Sequence, residues 1–301
     1  MIKTITVTNY LGDSMKLDLA RPELSGFAVL SIEGLGPGKA TINTTDMSTA
    51  DGSIFGSAKL PKRNIVISLK YLWKNSVEET RQLSYKYFPI KKRVTLAIET
   101  DNRHLEIDGY VESNEPKIFA RDAWTTISIV CTDPYFRSIG GDLSNITVFS
   151  NVEPAFEFPF AIDSNGVEFG VIGKRSDRSI TYSGDAEVGV TLYIHAYGEA
   201  TNVLIYNPVT RESMKIDTNK LAALTGHGIM SGDDIVICTE QGKKSITLLR
   251  DGVSINILNC LDRNSSWFKL YRGDNVFGYS ADSGVENLQL SIEHRVLYEG
   301  V

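Results

Sequence analysis

The chain is poor in the residues that most often carry chemistry. Among 301 residues there are three cysteines, Cys131, Cys238 and Cys260, and four histidines, His104, His195, His227 and His294. No Cys-x-x-Cys pair occurs, and three widely spaced thiols do not make a disulfide framework or a zinc site. The histidines form neither His-x-His nor His-Glu-x-x-His, so metal-ligand spacing is missing too. No Gly-x-Ser-x-Gly nucleophile elbow is present. No apolar run approaches the roughly 20 residues that span a bilayer. The opening "MIKTITVTNY" alternates like a strand and lacks the apolar centre of a signal peptide, so folding in a cytoplasm is expected.

Charge is unevenly spread. Residues 1–140 carry a balance of +2 and residues 141–301 one of −8, within a net charge of −6. An acidic second half argues against wrapping nucleic acid, which needs clustered Lys and Arg. The asymmetry and the length both point to two domains.

Helical signal is equally scarce. One stretch qualifies, "SVEETRQLSYKYFP" (Ser76–Pro89). Ser76 and Glu79 have capping-box spacing, and Glu78 and Glu79 suit the positive end of the helix dipole. Thr80, Leu83 and Tyr87 share a face, and Pro89 ends the run. The rest of the first half reads as strands: Asn64–Trp73, Arg93–Glu99, His104–Glu112 and Thr125–Cys131. Turns are expected at Asp101-Asn102 and Asn114-Glu115-Pro116. Beyond Gly141 only short strands are expected, among them Val190–Gly198, Asn202–Asn207, Asp234–Glu240, Ser245–Gly252, Val276–Ala281 and Leu288–Gly300. Their spacing indicates a β-sandwich.

Local motifs reduce to architecture. "GLGPGKAT" (Gly34–Thr41) is one residue short of a nucleotide-binding loop and has Ala40 where a magnesium-binding hydroxyl belongs, so a turn is the better reading. The Arg-Gly-Asp of "RGDN" (Arg272–Asn275) suits a hairpin turn with positive φ at Gly273 and Asp274. Asp233-Asp234 reads as a turn pair. In "ISIVCTDPYFRSIGG" (Ile127–Gly141), Asp133-Pro134 stops a strand because proline has no N–H for the sheet. Asp133, Pro134, Tyr135 and Phe136 are therefore read as a domain junction, with Gly140-Gly141 releasing the chain beyond it. Cys131 ends the preceding alternating strand and is expected to be a buried, unreactive thiol.

Four stretches, in order and across nearly the whole chain, resemble the distal tail protein family of long-tailed bacteriophages. They are "INTTDMSTADGSIFGSAKLPKRNIVISLKYL" (Ile42–Leu72), "EETRQLSYKYF" with the later "IDGYVES" (Ile107–Ser113), "ISIVCTDPYF" (Ile127–Phe136), and "TEQGKKSITLLRDGVSINILNCLDRNSSWFKLYRGDN" (Thr239–Asn275) ending in "YEGV". The resemblance implies a mainly β protein. Its N-terminal domain, residues 1–137, would be a β-barrel-like ring-forming module with one α-helix. Its C-terminal domain, residues 138–301, would be a galectin-like β-sandwich. It further implies a homohexameric ring at the virion tail tip, without catalysis, metal or cofactor. The ring would join the tail tube to the tail-tip or baseplate apparatus and leave a channel for DNA. Implied partners are further copies of the chain, the major tail tube protein, the tape-measure protein, a tail-associated lysin or fibre protein, and a receptor-binding protein, with no membrane. Asp51, Gly52, Ser53 and Arg63 are placed by the same resemblance in an inter-subunit contact region. Sugar binding is the rival reading, through Tyr193, Tyr197, Trp267 and Tyr271. Against it, His195 is followed by Ala-Tyr-Gly and Trp267 by Phe-Lys-Leu, unlike the sugar-binding stretches of galectins.

Overall fold

The computed structural model describes residues 1–301 apart from 49, 73–75, 118, 120–121, 140–145, 151, 155–169 and 173–176. The chain divides into two compact units, Met1–Gly140 with Leu297–Val301, and Gly141–Val296. The last five residues thus belong to the first unit, although the sequence reading assigned them to the second. Gly140 and Gly141 lie outside the described residues.

The first unit contains β1 (Ile2–Asn9), β2 (Ser14–Asp18), β3 (Phe27–Glu33), β4 (Thr41–Asp46), β5 (Ser53–Lys59), β6 (Arg63–Tyr71), α1 (Val77–Tyr87), β7 (Arg93–Thr100), β8 (His104–Lys117), β9 (Trp124–Cys131) and β10 (Phe136–Ser138). Seven strands run antiparallel in the order β2-β1-β7-β8-β9-β6-β3. Alternation builds the core. Every second residue of β6 and β9 is buried, because side chains in a strand point to opposite faces in turn. Ile5, Leu17, Phe27, Ile65, Ile67, Leu96, Ile107, Ile129 and Phe136 meet in one cluster.

The expected barrel is not closed. β2 and β3 are the two ends of the strand order and do not pair, although some of their Cα atoms come within 8 Å. α1 forms where expected. Ser76 Oγ accepts from the Glu79 amide at 3.1 Å, and the helix ends at Tyr87, two residues before Pro89. Its most buried side chains are Thr80 and Ser84, while Val77, Leu83 and Tyr87 pack partly on the core.

Asn114-Glu115-Pro116 is not a turn. It continues β8, with Asn114 opposite Ile127 and Pro116 opposite Thr125. β7 pairs with β8 only as far as Tyr110. Val111 still exchanges backbone bonds with Lys91 and Lys92; beyond it, β9 is the one strand paired with β8 among the described residues, and a proline is tolerated on such an edge. Asn114 is buried and its Oδ1 accepts from Thr125 Oγ1 at 2.7 Å. The 14-residue strand absorbs one irregularity, between Val111 and Ser113.

The second unit contains β11 (Ile146–Ser150), β12 (Val152–Pro154), β13 (Gly170–Ile172), β14 (Arg178–Tyr182), β15 (Val188–Gly189), β16 (Thr191–Ala196), β17 (Leu204–Asn207), β18 (Glu212–Lys215), α2 (Thr218–Thr225), β19 (Asp234–Cys238), β20 (Ser245–Arg250), β21 (Val253–Asn256), β22 (Lys269–Leu270), β23 (Gly273–Ser280) and β24 (Leu288–Glu293). Its two principal sheets have the orders β11-β24-β16-β19-β20-β21 and β14-β23-β17-β18. Each buries alternate residues, and Tyr279 of the smaller sheet donates to the Leu288 carbonyl of the larger at 2.9 Å. The mainly β expectation holds.

Three local expectations fail here. α2 was not expected, yet Asp217 Oδ1 caps its first amides and Gly226 ends it in the left-handed region at φ +86°. The Arg-Gly-Asp segment is not a hairpin. β22 pairs with β15, whereas Gly273 and Asp274 already lie in β23, opposite Tyr182 and Thr181. Gly273 does have positive φ, at +103°, and Asn275 holds the approach by bonding the Tyr271 amide and carbonyl. Finally, Leu288–Gly300 is not one strand. β24 stops at Glu293, and β25 (Leu297–Tyr298) pairs with β10 in the first unit. Asp233 is also more than a turn residue. It is buried and forms a two-pronged ion pair with Arg250, at 2.7 Å from Nε and 2.5 Å from Nη2.

His294 is buried against the edge of Tyr182, and its Nδ1 has no hydrogen-bond partner. Burial holds its pKa below the usual histidine value, against the pull of Glu293. The unfolded chain therefore takes up the proton first as pH falls. The expected outcome is that stability is full above about pH 6.5 and declines below it. Urea midpoints measured from pH 8 to pH 5 should show a smaller loss for His294→Phe than for the parent chain.

Candidate functional site

The most densely bonded side chain of the first unit is Arg63, the first residue of β6. It is buried at 6% exposure. Its Nε donates to the Pro134 carbonyl at 2.7 Å, and Nη1 donates to those of Gly34 at 2.6 Å and Gly36 at 2.5 Å. Nη2 donates to the Glu299 carbonyl at 2.6 Å. The guanidinium carbon lies 4.8 Å from the centre of the Phe136 ring, within cation–π range. Burial pulls the Arg63 pKa down while Cys131 and Glu299 raise it, and the group stays charged. A flat fork of five N–H donors suits this task, since several carbonyls can be held in fixed directions at once.

The "GLGPGKAT" stretch supplies two of those carbonyls. Gly34 has φ +86°, and a Cβ there would fall 2.1 Å from the Asn64 carbonyl oxygen. The glycines serve a tight turn, and β4 follows at Thr41 rather than a helix. The end of the chain closes on the same turn, where the Val301 amide donates to the Leu35 carbonyl at 3.0 Å.

Asp133–Phe136 are part of this knot and belong to the first unit. Asp133 Oδ1 accepts from the Tyr135 amide at 3.2 Å. Phe136 is fully buried in the core and opens β10, which pairs with β8 and β25. Cys131 has no exposed surface. Burial pushes its thiol up to about 12, against the pull of Arg63. Its sulfur would lie 2.9 Å from a Cβ at Gly109, so "IDGYVES" and "CTDPYF" meet where two backbones approach closely.

Arg63 and the other residues of the expected contact region take different roles. Asp51, Gly52 and Ser53 form the end of a turn between β4 and β5, with Gly52 at φ +102° and the Met47 amide donating to its carbonyl. Among the described residues, β4 and β5 pair only with each other, and every residue of both strands is exposed. Ile42, Ile54 and Phe55 are 61%, 60% and 64% exposed. Arg63 itself is spent on its own chain at the root of this hairpin.

A separate open cleft of about 430 Å³ lies between β2, the Pro22–Leu24 turn and α1, lined by Met15, Lys16, Asp18, Arg21, Leu24, Leu83 and Tyr87 among others. Among the described residues, no three His, Cys, Asp or Glu side chains come together as metal ligands. No helix there is long and apolar enough to cross a membrane. His195 Nδ1 lies 2.6 Å from Asp234 Oδ1 on the exposed face of the larger sheet. Sequence reasoning did not find the carbonyl knot, because its acceptors come from backbone at three distant places.

With this geometry in hand, the chain can be compared with solved structures. It is similar to the crystal structure of the Dit (gp 19.1) protein of SPP1, a paradigm of the hub adsorption apparatus in phages infecting Gram-positive hosts. The TM-score is 0.63 at 12% identity, covering 97% of this chain and 99% of that one. The chain therefore has the fold of SPP1 Dit. The phage P2 baseplate in its activated conformation with Ca also matches, with a TM-score of 0.49 at 14% identity over 100% of both chains. The phage p2 baseplate in its activated conformation with Sr matches with 0.49 at 13% identity over 97% of both. No family model matches the sequence, and no curated protein does. What the chain shares with SPP1 Dit is therefore spatial, a likeness that takes in both units.

Replacing Arg63 by Ala leaves four carbonyls without their donor. A loss of about 3–5 kcal/mol is expected in the unfolding free energy of the first unit. Arg63→Lys should fall between the two, because an ammonium cannot span the same fork. Urea denaturation of the three chains checks the order.

Proposed function

We propose that this chain is a structural subunit of a phage tail hub and that six copies close into a ring joining the tail tube to the tail-tip apparatus. The observation that carries the reading is the likeness to SPP1 Dit over 97% of this chain and 99% of that one. The ring leaves a channel through which DNA passes. Its partners are the tail tube protein on one side, and lysin, fibre or receptor-binding proteins on the other, with the tape-measure protein ending nearby. The second unit is a galectin-like scaffold, and the chain carries no catalysis. Asp133–Phe136 close the first domain before the chain enters the second.

The exposed hairpin supports the ring. A two-stranded hairpin bare on both faces is marginal in water, and unpaired edges invite pairing with another chain. Asp51, Gly52 and Ser53 at its tip are assigned to the contact with a neighbouring subunit. Arg63 is not, since its donors are occupied within its own chain. Light scattering on the purified protein should give roughly 200 kDa, six times 33.3 kDa. Negative-stain images should show rings. A chain that stays monomeric at high concentration and is absent from purified tail tips overturns the proposal.

One observation favours a second reading, sugar recognition by the second unit. Tyr193 projects from β16 and Tyr197 follows that strand, its ring 4.6 Å from that of His195; their hydroxyls donate to Glu293 at 2.8 Å and Gln289 at 2.6 Å. Burial and the Glu293 carboxylate push the Tyr193 hydroxyl up to about 12. Trp267 lies under Lys244, with 5.2 Å from Nζ to the ring centre, and Tyr271 is exposed. If this reading is right, the full chain binds cell-wall polysaccharide and Tyr197→Ala weakens that binding about tenfold. No retention on host cell walls leaves the scaffold role alone.

A further inference from the structure

Two features of the first unit are each incomplete in complementary ways. The hairpin of β4 and β5 carries Ile54 and Phe55 side by side in one extended strand, so they face opposite sides. Both are more than half exposed. Near its tip stand Asp46 and Asp51, and neither forms an ion pair among the described residues. The hairpin is thus an arm of mostly polar residues that carries three exposed large apolar side chains, Ile42, Ile54 and Phe55, and an acidic end.

The cleft beside β2 is the converse. Met15, Leu24, Leu83 and Tyr87 give it an apolar floor and wall. Leu24 is 62% exposed. Its rim carries Lys16 and Arg21, whose side chains are 58% and 68% exposed. Asp18 also lines the cleft, but its Oδ1 accepts from the Ala20 and Arg21 amides and its Oδ2 faces Arg21. Lys16 approaches Glu99 only at 3.9 Å. With Asp18 paired to Arg21, the charged lining of the cleft keeps one net positive charge. β2 is an end strand with one free edge, and it borders the gap that keeps the sheet from closing.

We propose that the cleft between β2, the Pro22–Leu24 turn and α1 is the receptor for the β4–β5 hairpin of a second copy of this chain. Phe55 enters the apolar floor, and Asp46 and Asp51 meet Lys16 and Arg21. Arm and receptor are different surfaces of one unit, so the contact is head-to-tail. Repetition of such a contact gives a ring if the rotation closes. The proposal rests on the ring reading above and adds the surface through which it is made.

The test uses the full chain with Cys238→Ser, because Cys131 and Cys260 are buried. One preparation carries Phe55→Cys and another Leu24→Cys. Mixed and oxidised, they should give a covalent dimer, and the double variant a ladder ending at the ring size. Leu24→Cys mixed with Val253→Cys controls for chance collision. In parallel, Asp46→Lys with Asp51→Lys should weaken assembly at least about tenfold, and Lys16→Glu with Arg21→Glu in the same chain should restore it. Rings by light scattering with no cross-link above the control, and no charge effect, overturn this contact and leave the ring reading standing. A parent chain that never associates removes both.

Discussion

A single buried cation organises the first unit. Arg63 is surrounded by backbone carbonyls of Gly34, Gly36, Pro134 and Glu299 and by the face of Phe136. A buried charge without partners is costly, so the fork and its acceptors must form together. Three separate stretches are thereby tied to the start of β6: the turn before the hairpin, the segment after β9, and the returning end of the chain. Carbonyls accept well but do not neutralise, and the aromatic face supplies further electrostatic relief. The knot is specific in geometry because a guanidinium has only one planar arrangement of donors.

Much of the fold could be read from period and punctuation. β6, β9 and α1 announce themselves through alternation, a serine cap and a proline stop, all of which are local. The failures share a cause, which is that tertiary context decided them. Pro116 reads as a turn residue, yet it sits in a strand because its other neighbour has already ended. Thr218–Thr225 carries a capping aspartate and a stop glycine, but eight residues hold little helical period. Leu297 and Tyr298 continue an apolar pattern from β24 and nonetheless leave for another sheet.

The candidate site was legible only in part. Asp51-Gly52-Ser53 could be recognised as a turn from its composition, and Asp133-Pro134 as the end of a strand. Arg63 was noticed as a contact residue and not as the centre of the knot. In a sequence a basic residue opening a strand looks like surface, and nothing local shows that acceptors from three distant stretches will converge on it. The cleft beside β2 has no sequence signature either, since Met15, Leu24 and Leu83 belong to three elements whose proximity only the fold creates. The hairpin, in contrast, hides behind its ordinary strand composition. Its exposure on both faces is visible only when no other strand is found beside it.

The return of residues 297–301 to the first unit bears on the order of events during synthesis. Domains emerge and fold from the N-terminus onward, but here one of the acceptors of Arg63 is residue 299 and one of the bonds to the Leu35 turn comes from residue 301. The root of the hairpin is therefore fastened last, after the whole second unit has left the ribosome. A chain cut short anywhere in that unit would present an arm on a loosened base. The base of the exposed hairpin is thus held firmly only in chains that carry residues 297–301.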